Sequence, residues 1–321
     1  MTPARIRPLA HWRLRTRTLE LGARTLVMGV VNITPDSFSD GGFFLASDEG
    51  VAHALRLIDE GADILDLGAE STRPGSHAGG PDAAVHPRDT GSSSHLSRGT
   101  PAVSAEEEQE RLLPVLEGIL KARPHAVLSV DTYKAETARA ALEAGAEIVN
   151  NVSGFTWDPA QARVCAEFGA GVVLMHTRGR PEEWLKQAEL EPGALMATVR
   201  EGLAASLETA RSAGIEEDRV VLDPGYGFGK RLDENYALLA RQSELLALGR
   251  PLLAGLSRKS FLGHTLAGLY GGKPAPVDAR ETASLAAMTA AILNGASIVR
   301  VHEVRPAVEA ARIADAILAA R

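Results

Sequence analysis

The sequence predicts an α/β fold, a (β/α)8 (TIM) barrel preceded by a short β-hairpin. Apolar runs typical of strands buried on both faces recur eight times in the 321 residues. A helical pattern follows the strands, and this alternation requires right-handed crossovers and a parallel sheet. Polar residues follow the apolar runs, as they do on the catalytic face of a barrel. Eight such units match a closed barrel better than an open, doubly wound sheet.

The first barrel strand is the apolar run 26–31. It stops at Asn32, where Pro, Asp, Ser and a Gly pair follow within a polar loop. Residues 12–26 alternate loosely between apolar and polar, with Gly22 at a turn, which predicts a hairpin that plugs the bottom of the barrel.

The remaining elements repeat this unit along the rest of the chain. The other seven strands are predicted at 63–68, 126–130, 147–149, 171–175, 219–222, 251–255 and 297–299. Helices are predicted from Ser47 as N-cap to Ala62, from Ser104, over 135–144, and near 194–213, 234–248, 282–294 and 306–320. Residues 1–321 therefore form one domain.

Composition excludes several classes of function. A formal net charge of −7 argues against nucleic-acid binding, and no apolar run approaches the roughly 20 residues of a membrane span. Cys165 has helical spacing with Phe168, which favours a buried structural thiol over a nucleophile. We expect a soluble, cytoplasmic protein.

One segment, 77–102, breaks the rhythm. It is rich in Gly, Ser and Pro, shows no periodicity, and is longer than the loops of compact domains, so it is either functional or disordered. Three histidines in it, His77, His86 and His95, suggest a metal site, but their even spacing fits no ligand motif.

Closing the barrel brings the polar strand ends to one rim. The residues concerned are Asn32, Arg73, Asp131, Asn150, Asp223, Lys259, Arg300 and His302. Asp131, Asn150 and Asp223 suit the donor-rich edge of a flat heterocycle. The donors Arg73, Arg300 and His302, with Asn32 and Ser71 or Thr72, suit a phosphate or diphosphate with a divalent ion.

Simpler explanations exist for each of these residues. An Asp at a strand end often caps the next helix, and Lys259 could be a solvated lysine. The glycines at 225, 227 and 229 with Lys230 lack the spacing of a phosphate-binding P-loop. A turn that allows close backbone approach to a planar ligand is the better interpretation.

Eight segments in order resemble the dihydropteroate synthase family of pterin-binding barrels. They are Asn32-Ile-Thr-Pro-Asp-Ser-Phe-Ser-Asp-Gly-Gly, Asp66-Leu-Gly-Ala-Glu-Ser-Thr-Arg-Pro-Gly, Ser129-Val-Asp-Thr-Tyr-Lys, Val149-Asn-Asn-Val-Ser-Gly, Leu174-Met-His, Leu222-Asp-Pro-Gly-Tyr-Gly-Phe-Gly-Lys, Gly255-Leu-Ser-Arg-Lys-Ser and Arg300-Val-His. The resemblance implies a transferase of folate biosynthesis that condenses 6-hydroxymethyl-7,8-dihydropterin diphosphate with p-aminobenzoate, using Mg²⁺, in a homodimer.

The resemblance also implies a role for each matching residue. Asp131, Asn150, Asp223 and Lys259 would hold the pterin, and Asn32, Arg73, Arg300 and His302 the diphosphate. Asn32 would contact the magnesium, and Asp131, Asp223, Lys259 and Arg300 would carry catalysis. Thr72, Pro74, Phe228 and Ser260 would border the p-aminobenzoate site, where sulfonamides also bind in the family.

Four departures from the family pattern stand out. Ala69 replaces a common glycine, Asn151 an aspartate and Thr177 a methionine, and 77–102 enlarges the second loop as a hypothetical mobile flap. Two alternatives remain open: a methyltransferase of the same pterin-binding family, and a catalytically silent pterin-binding paralogue. The diphosphate-binding motifs count against both.

Overall fold

The computed structural model describes residues 7–33, 42–70, 103–191 and 193–321. Eight parallel strands form a closed barrel, which confirms the predicted fold class. They are β3 Leu26–Asn32, β4 Ile64–Gly68, β5 Leu128–Asp131, β6 Ile148–Asn151, β7 Gly171–Met175, β8 Val220–Asp223, β9 Leu252–Ala254 and β10 Ala296–Val301. The last strand closes the barrel, because Ile298 to Val301 pair with Leu26 to Gly29.

Helices cover the outside of the barrel. They are α1 Gly42–Asp59, α2 Ala105–Ala122, α3 Ala135–Glu143, α4 Ala160–Phe168, α5 Ala194–Ser212, α6 Leu232–Arg241, α7 Ser260–Thr265, α8 Glu281–Leu293 and α9 Val304–Ala319. Ser104 caps α2, its hydroxyl accepting a bond from the Glu107 amide at 3.2 Å. None of the helices in these four ranges is long and apolar enough to cross a membrane.

Two helix boundaries differ from prediction. The helix assigned to Ser47 begins at Gly42, so Ser47 lies inside α1 and the predicted N-cap is wrong. The predicted 234–248 helix is two pieces, because α6 ends at Arg241 and a 3₁₀ segment covers Gln242–Leu248. Gln242 is fully buried and donates to the carbonyls of Ala291 and Asn294, which fixes that segment against α8.

The hairpin does plug the bottom of the barrel. Its strands are β1 Ala10–Arg13 and β2 Thr18–Leu21, paired antiparallel. Trp12 and Leu14 pack with the lowest inward side chains of the barrel, and the Trp12 Nε1–H donates to the Arg219 carbonyl at 2.8 Å. The lower half of the barrel is therefore filled with apolar side chains.

A second apolar core lies between the strands and the helices. Cys165 belongs to it, fully buried on α4, and burial raises the pKa of its thiol. The prediction of a structural cysteine is consistent with this position.

Candidate active site at the barrel mouth

Alternation along the strands decides which side chains enter the barrel. Successive residues of a strand face opposite sides, so the residue two positions beyond an inward apolar one is also inward. Ile64, Ile148, Val221 and Ile298 all belong to the inner apolar cluster. The inward residues one layer above them are Asp66, Asn150, Asp223 and Arg300.

Arg300 is held between two carboxylates. Its Nε donates to Asp66 Oδ2 at 2.6 Å, and its Nη2 donates to Asp131 Oδ2 at 2.7 Å. Asp66 is completely buried, whereas Asp131 and Arg300 each keep 22% of their side-chain surface exposed. The two aspartates raise the pKa of Arg300, against the effect of its burial. Arg300, which the sequence groups with the cationic residues, therefore lies among the acids.

Asn150 shares the same buried oxygen. Its Nδ2 donates to Asp66 Oδ2 at 2.9 Å, so the amide nitrogen is turned toward Asp66. The other end of the amide, Oδ1, is left as an acceptor for a ligand. Asp66 thus orients two of the predicted site residues at once.

Burial perturbs the pKa of two acids of the mouth, Asp131 and Asp223. Burial raises the pKa of Asp131 to about 7, although Arg300 beside it favours the charged form. Burial raises the pKa of Asp223 as well, while the Gly225 N–H, which donates to Asp223 Oδ1 at 2.7 Å, acts against it. Perturbed carboxyls grouped in a cleft are typical of binding and catalytic sites.

Lys259 completes this group from just beyond β9, the strand between those of Asp223 and Arg300. Its Nζ lies 3.8 Å from the centroid of the Phe228 ring, a cation–π contact. Burial lowers the pKa of Lys259 to about 7, opposed by the charge of Asp223. The neighbouring Arg258 turns away and pairs with Glu303, so only the second basic residue of Ser-Arg-Lys-Ser enters the site.

Glycines keep the mouth open above these groups. Gly68 and Gly255 occupy inward positions on β4 and just beyond β9. A Cβ at Gly68 would meet Asp131 Cβ at 3.5 Å, and one at Gly255 would meet Asp223 Oδ2 at 3.7 Å. Ordinary side chains here would fill the space over the carboxylates, so the glycines leave room for a flat ligand.

The glycine-rich turn after β8 is braced from inside by Lys230. The three glycines have φ of +72°, +81° and +68°, and a Cβ at Gly225 would overlap the His176 carbonyl. Lys230 is buried, and its Nζ donates to the carbonyls of Gly225 at 2.7 Å, His176 at 3.3 Å and Phe228 at 3.4 Å. Lys230 therefore shapes the turn instead of contacting a phosphate.

The structure describes some of the residues that the sequence assigns to diphosphate binding. His302 directly follows β10, two residues after Arg300, and its Nδ1 and the Ser257 Oγ are 3.0 Å apart. Asn32 ends β3 with its side chain exposed at the rim, and Ser260 is exposed at the first position of α7. Ser71, Thr72, Arg73, Pro74 and the 77–102 segment with its histidines lie outside the described residues.

The structure shows the contacts of the three residues that depart from the family pattern within the described ranges. Asn151 points away from the barrel interior; its Oδ1 accepts bonds from the Ser153 and Phe155 amides, and its Nδ2 donates to Gln161. The position at which the family commonly has an aspartate therefore directs its side chain into the loop after β6, away from the barrel mouth. Thr177 Oγ1 accepts a bond from Trp184 Nε1 at 3.0 Å. Ala69 is buried.

Sequence reasoning gave no role to Asp66, Ser257 or Trp184. Asp66 could have been found from the sequence, because it lies in the middle of an apolar strand. It is two residues from Gly68, so it faces the same side of the strand, which is the barrel interior. Ser257 and Trp184 carry no such signal, since their partners are distant in sequence or set by loop geometry.

Comparison with known proteins agrees with this site. The barrel and its acid-lined mouth define a pterin-binding enzyme, and the family model described as "Pterin binding enzyme" matches residues 28–86 and 92–302. The chain therefore belongs to the pterin-binding enzyme family and, within it, to the dihydropteroate synthases.

Named relatives support the narrower assignment. The chain is 42% identical over 296 residues to the dihydropteroate synthase of Mycobacterium leprae, covering 91% of this chain and 93% of that protein. The Xanthomonas albilineans dihydropteroate synthase structure with 4-aminobenzoic acid has a TM-score of 0.79 at 37% identity, covering 97% and 99% of the chains. The Burkholderia cenocepacia enzyme complexed with 7,8-dihydropteroate has a TM-score of 0.77 at 37% identity, covering 98% of both.

Proposed function

We propose that this protein condenses 6-hydroxymethyl-7,8-dihydropterin diphosphate with p-aminobenzoate, giving 7,8-dihydropteroate and diphosphate. The observation that carries this is the convergence of Asp131, Asn150 and Asp223 with Lys259 and Arg300 at one open barrel mouth. Its relatives bind 4-aminobenzoic acid and 7,8-dihydropteroate, the second substrate and the product of this reaction.

The pterin lies against the acidic layer. Asp131, Asp223 and the Asn150 carbonyl oxygen accept bonds from the amino and ring N–H groups of the heterocycle. Lys259 donates to an acceptor on the same ring. Gly68 and Gly255 leave the space in which a planar ring fits.

The diphosphate lies at the rim, toward Asn32 and His302, with Arg300 reaching it from below. The resemblance to the family adds Arg73, which lies outside the described residues. Magnesium fits this end, because the exposed Asn32 amide supplies one hard oxygen ligand and the ion takes most of its others from phosphate and water. When bound, Mg²⁺ neutralises charge on the diphosphate. Asn32→Ala is expected to raise the Mg²⁺ concentration needed for half-maximal rate, with pterin alcohol binding unchanged.

The diphosphate end and the pterin end of the site have different roles in the reaction. The carbon–oxygen bond to the diphosphate breaks, and both electrons leave with the diphosphate, whose charge the cationic rim stabilises. Positive charge then develops on the pterin methylene, and Asp131 and Asp223 stabilise it through the conjugated ring. The p-aminobenzoate nitrogen attacks this carbon, and the ammonium that forms then releases one proton to water.

The second substrate binds above the pterin. Phe228 and Ser260 border its site, and the resemblance to the family adds Thr72 and Pro74, which lie outside the described residues. A positioned aniline nitrogen needs no strong base. A sulfonamide, which resembles p-aminobenzoate, is expected to compete with it.

The decisive experiment is a coupled assay with the purified protein, pterin diphosphate, p-aminobenzoate and Mg²⁺. Equimolar dihydropteroate and diphosphate are expected. Binding of the pterin diphosphate without product would indicate the silent paralogue, and no binding would contradict the proposal.

The assembly and compartment are also proposals. We infer a cytoplasmic homodimer formed through outer helices, supported by the exposed Ile313 and Ile317 on α9 and by Leu269, which is 81% exposed. Light scattering should give twice the chain mass of 33.9 kDa. A monomer at micromolar concentration would contradict the dimer.

A further inference from the structure

Phe228 is packed edge-to-face against Trp184. The ring centroids are 4.9 Å apart and the planes meet at 89°, the geometry in which the edge of one ring meets the face of another. Trp184 is 7% exposed, whereas Phe228 is only half-buried. The tryptophan is therefore the fixed member of the pair, and Phe228 is the member that a ligand can reach.

The Trp184 indole is itself held by the chain that follows β7. Its Nε1–H donates to Thr177 Oγ1 at 3.0 Å and to the Gly179 carbonyl at 3.2 Å. The Thr177 hydroxyl donates in turn to the Gly179 carbonyl at 3.1 Å. Gly229 makes room for the ring, since a Cβ there would meet Trp184 Cδ1 at 3.1 Å.

The other neighbour of the Phe228 ring is Lys259, whose Nζ lies 3.8 Å from its centroid. Phe228 thus lies between a catalytic cation and an anchored indole. An aromatic ring on a glycine-rich turn has few other restraints, so the indole limits the orientations that Phe228 can adopt.

We propose that Trp184, anchored by Thr177, is a positioning residue for the second substrate, holding the Phe228 ring in the orientation that forms the p-aminobenzoate wall. The inference rests on the proposed function, because it takes that wall as part of the site. It also gives Thr177 a role: its hydroxyl anchors an indole that the methionine common at this position in the family could not hold in this way.

The test compares variants that remove the ring, the N–H or its acceptor. Trp184→Leu removes the ring and should raise the KM for p-aminobenzoate at least fivefold. Its kcat and its affinity for pterin diphosphate, measured by calorimetry without the second substrate, should change less than twofold. Trp184→Phe keeps an aromatic edge and should recover most of the loss.

A double-mutant cycle isolates the Thr177 anchor. Thr177→Val keeps the shape but removes the hydroxyl, and should raise the KM for p-aminobenzoate two- to threefold. In the Trp184→Phe background, where the indole N–H is already gone, Thr177→Val should add nothing. Full additivity would overturn the role of the anchor.

Trp157→Leu is the matched control for Trp184→Leu. Trp157 belongs to the same buried aromatic cluster but packs against Tyr133, at 5.1 Å between centroids. This variant should leave the KM for p-aminobenzoate unchanged. An equal rise in both variants, an unchanged KM in Trp184→Leu, or equal losses for both substrates would overturn the proposal. Failure of the proposed function itself would be visible separately, as absence of product with the unmodified protein.

Discussion

The Nε of Arg300 donates to Asp66 Oδ2 at 2.6 Å, joining β10 to β4 across the inside of the barrel. The two residues are 234 positions apart, and their contact links the last barrel strand to the second, past β3. Because Asp66 also accepts a bond from Asn150, one buried carboxylate fixes both a cationic and an amide group of the site.

Asp66→Asn tests this relationship. The variant keeps the shape and one acceptor but removes the charge that compensates Arg300. Breaking a buried ion pair costs about 3 kcal/mol or more, so the free energy of unfolding in urea should fall by that amount. The kcat/KM for pterin diphosphate should fall at least tenfold.

Asp63→Asn is the control for this variant. Asp63 pairs with Arg24 at 2.6 Å, but the arginine is 60% exposed and lies at the bottom of the barrel. Loss of this ion pair in Asp63→Asn should leave the kcat/KM for pterin diphosphate unchanged. If Asp66→Asn behaved like this control, the bracing role of Asp66 would be refuted.

Arg300→Ala should separate binding of the two ends of the substrate. Removing the guanidinium should weaken binding of pterin diphosphate at least tenfold more than binding of the pterin alcohol, as measured by calorimetry. Equal losses for both ligands would contradict an interaction of Arg300 with the diphosphate, and would limit its role to organising Asp66 and Asp131.

Lys259→Met should reduce kcat/KM by at least 100-fold without changing the circular dichroism spectrum, because it removes the cation that faces the pterin. Asp223→Asn should have a comparable effect. The adjacent Arg258→Met is the control, since Arg258 turns outward to Glu303. Near-normal kinetics for Lys259→Met would eliminate the assignment.

The pH dependence of stability should reveal Asp131. With its pKa raised to about 7, the folded protein keeps a proton that the unfolded chain releases near pH 4. The contribution of Asp131 to the free energy of unfolding therefore falls as the pH rises from about 4 to 7. Relative to the unmodified protein, Asp131→Asn should gain stability across this window and then stay level. Urea unfolding at a series of pH values measures this, and a constant difference would contradict the raised pKa.

The fold could be predicted almost completely from the sequence, because buried parallel strands and amphipathic helices have clear periodicities. Most site residues could be placed as well, since strand ends in a closed barrel must meet at one rim. Side-chain partners could not. Arg300 pairs with two acids, although the sequence groups it with the cationic residues. Lys230 donates to carbonyls of its own loop, and Trp184 packs against Phe228 from a different loop. These pairings depend on register and loop geometry, which short-range sequence patterns do not encode.

The central claim is that one barrel mouth binds a pterin at its acidic floor and releases diphosphate at its cationic rim. Quantifying both products from pterin diphosphate and p-aminobenzoate with Mg²⁺ tests it most directly. We predict dihydropteroate and diphosphate in a 1:1 ratio, at a rate that Asp223→Asn and Lys259→Met nearly abolish. Product formation that is insensitive to both substitutions, or no product from the unmodified protein, would contradict it.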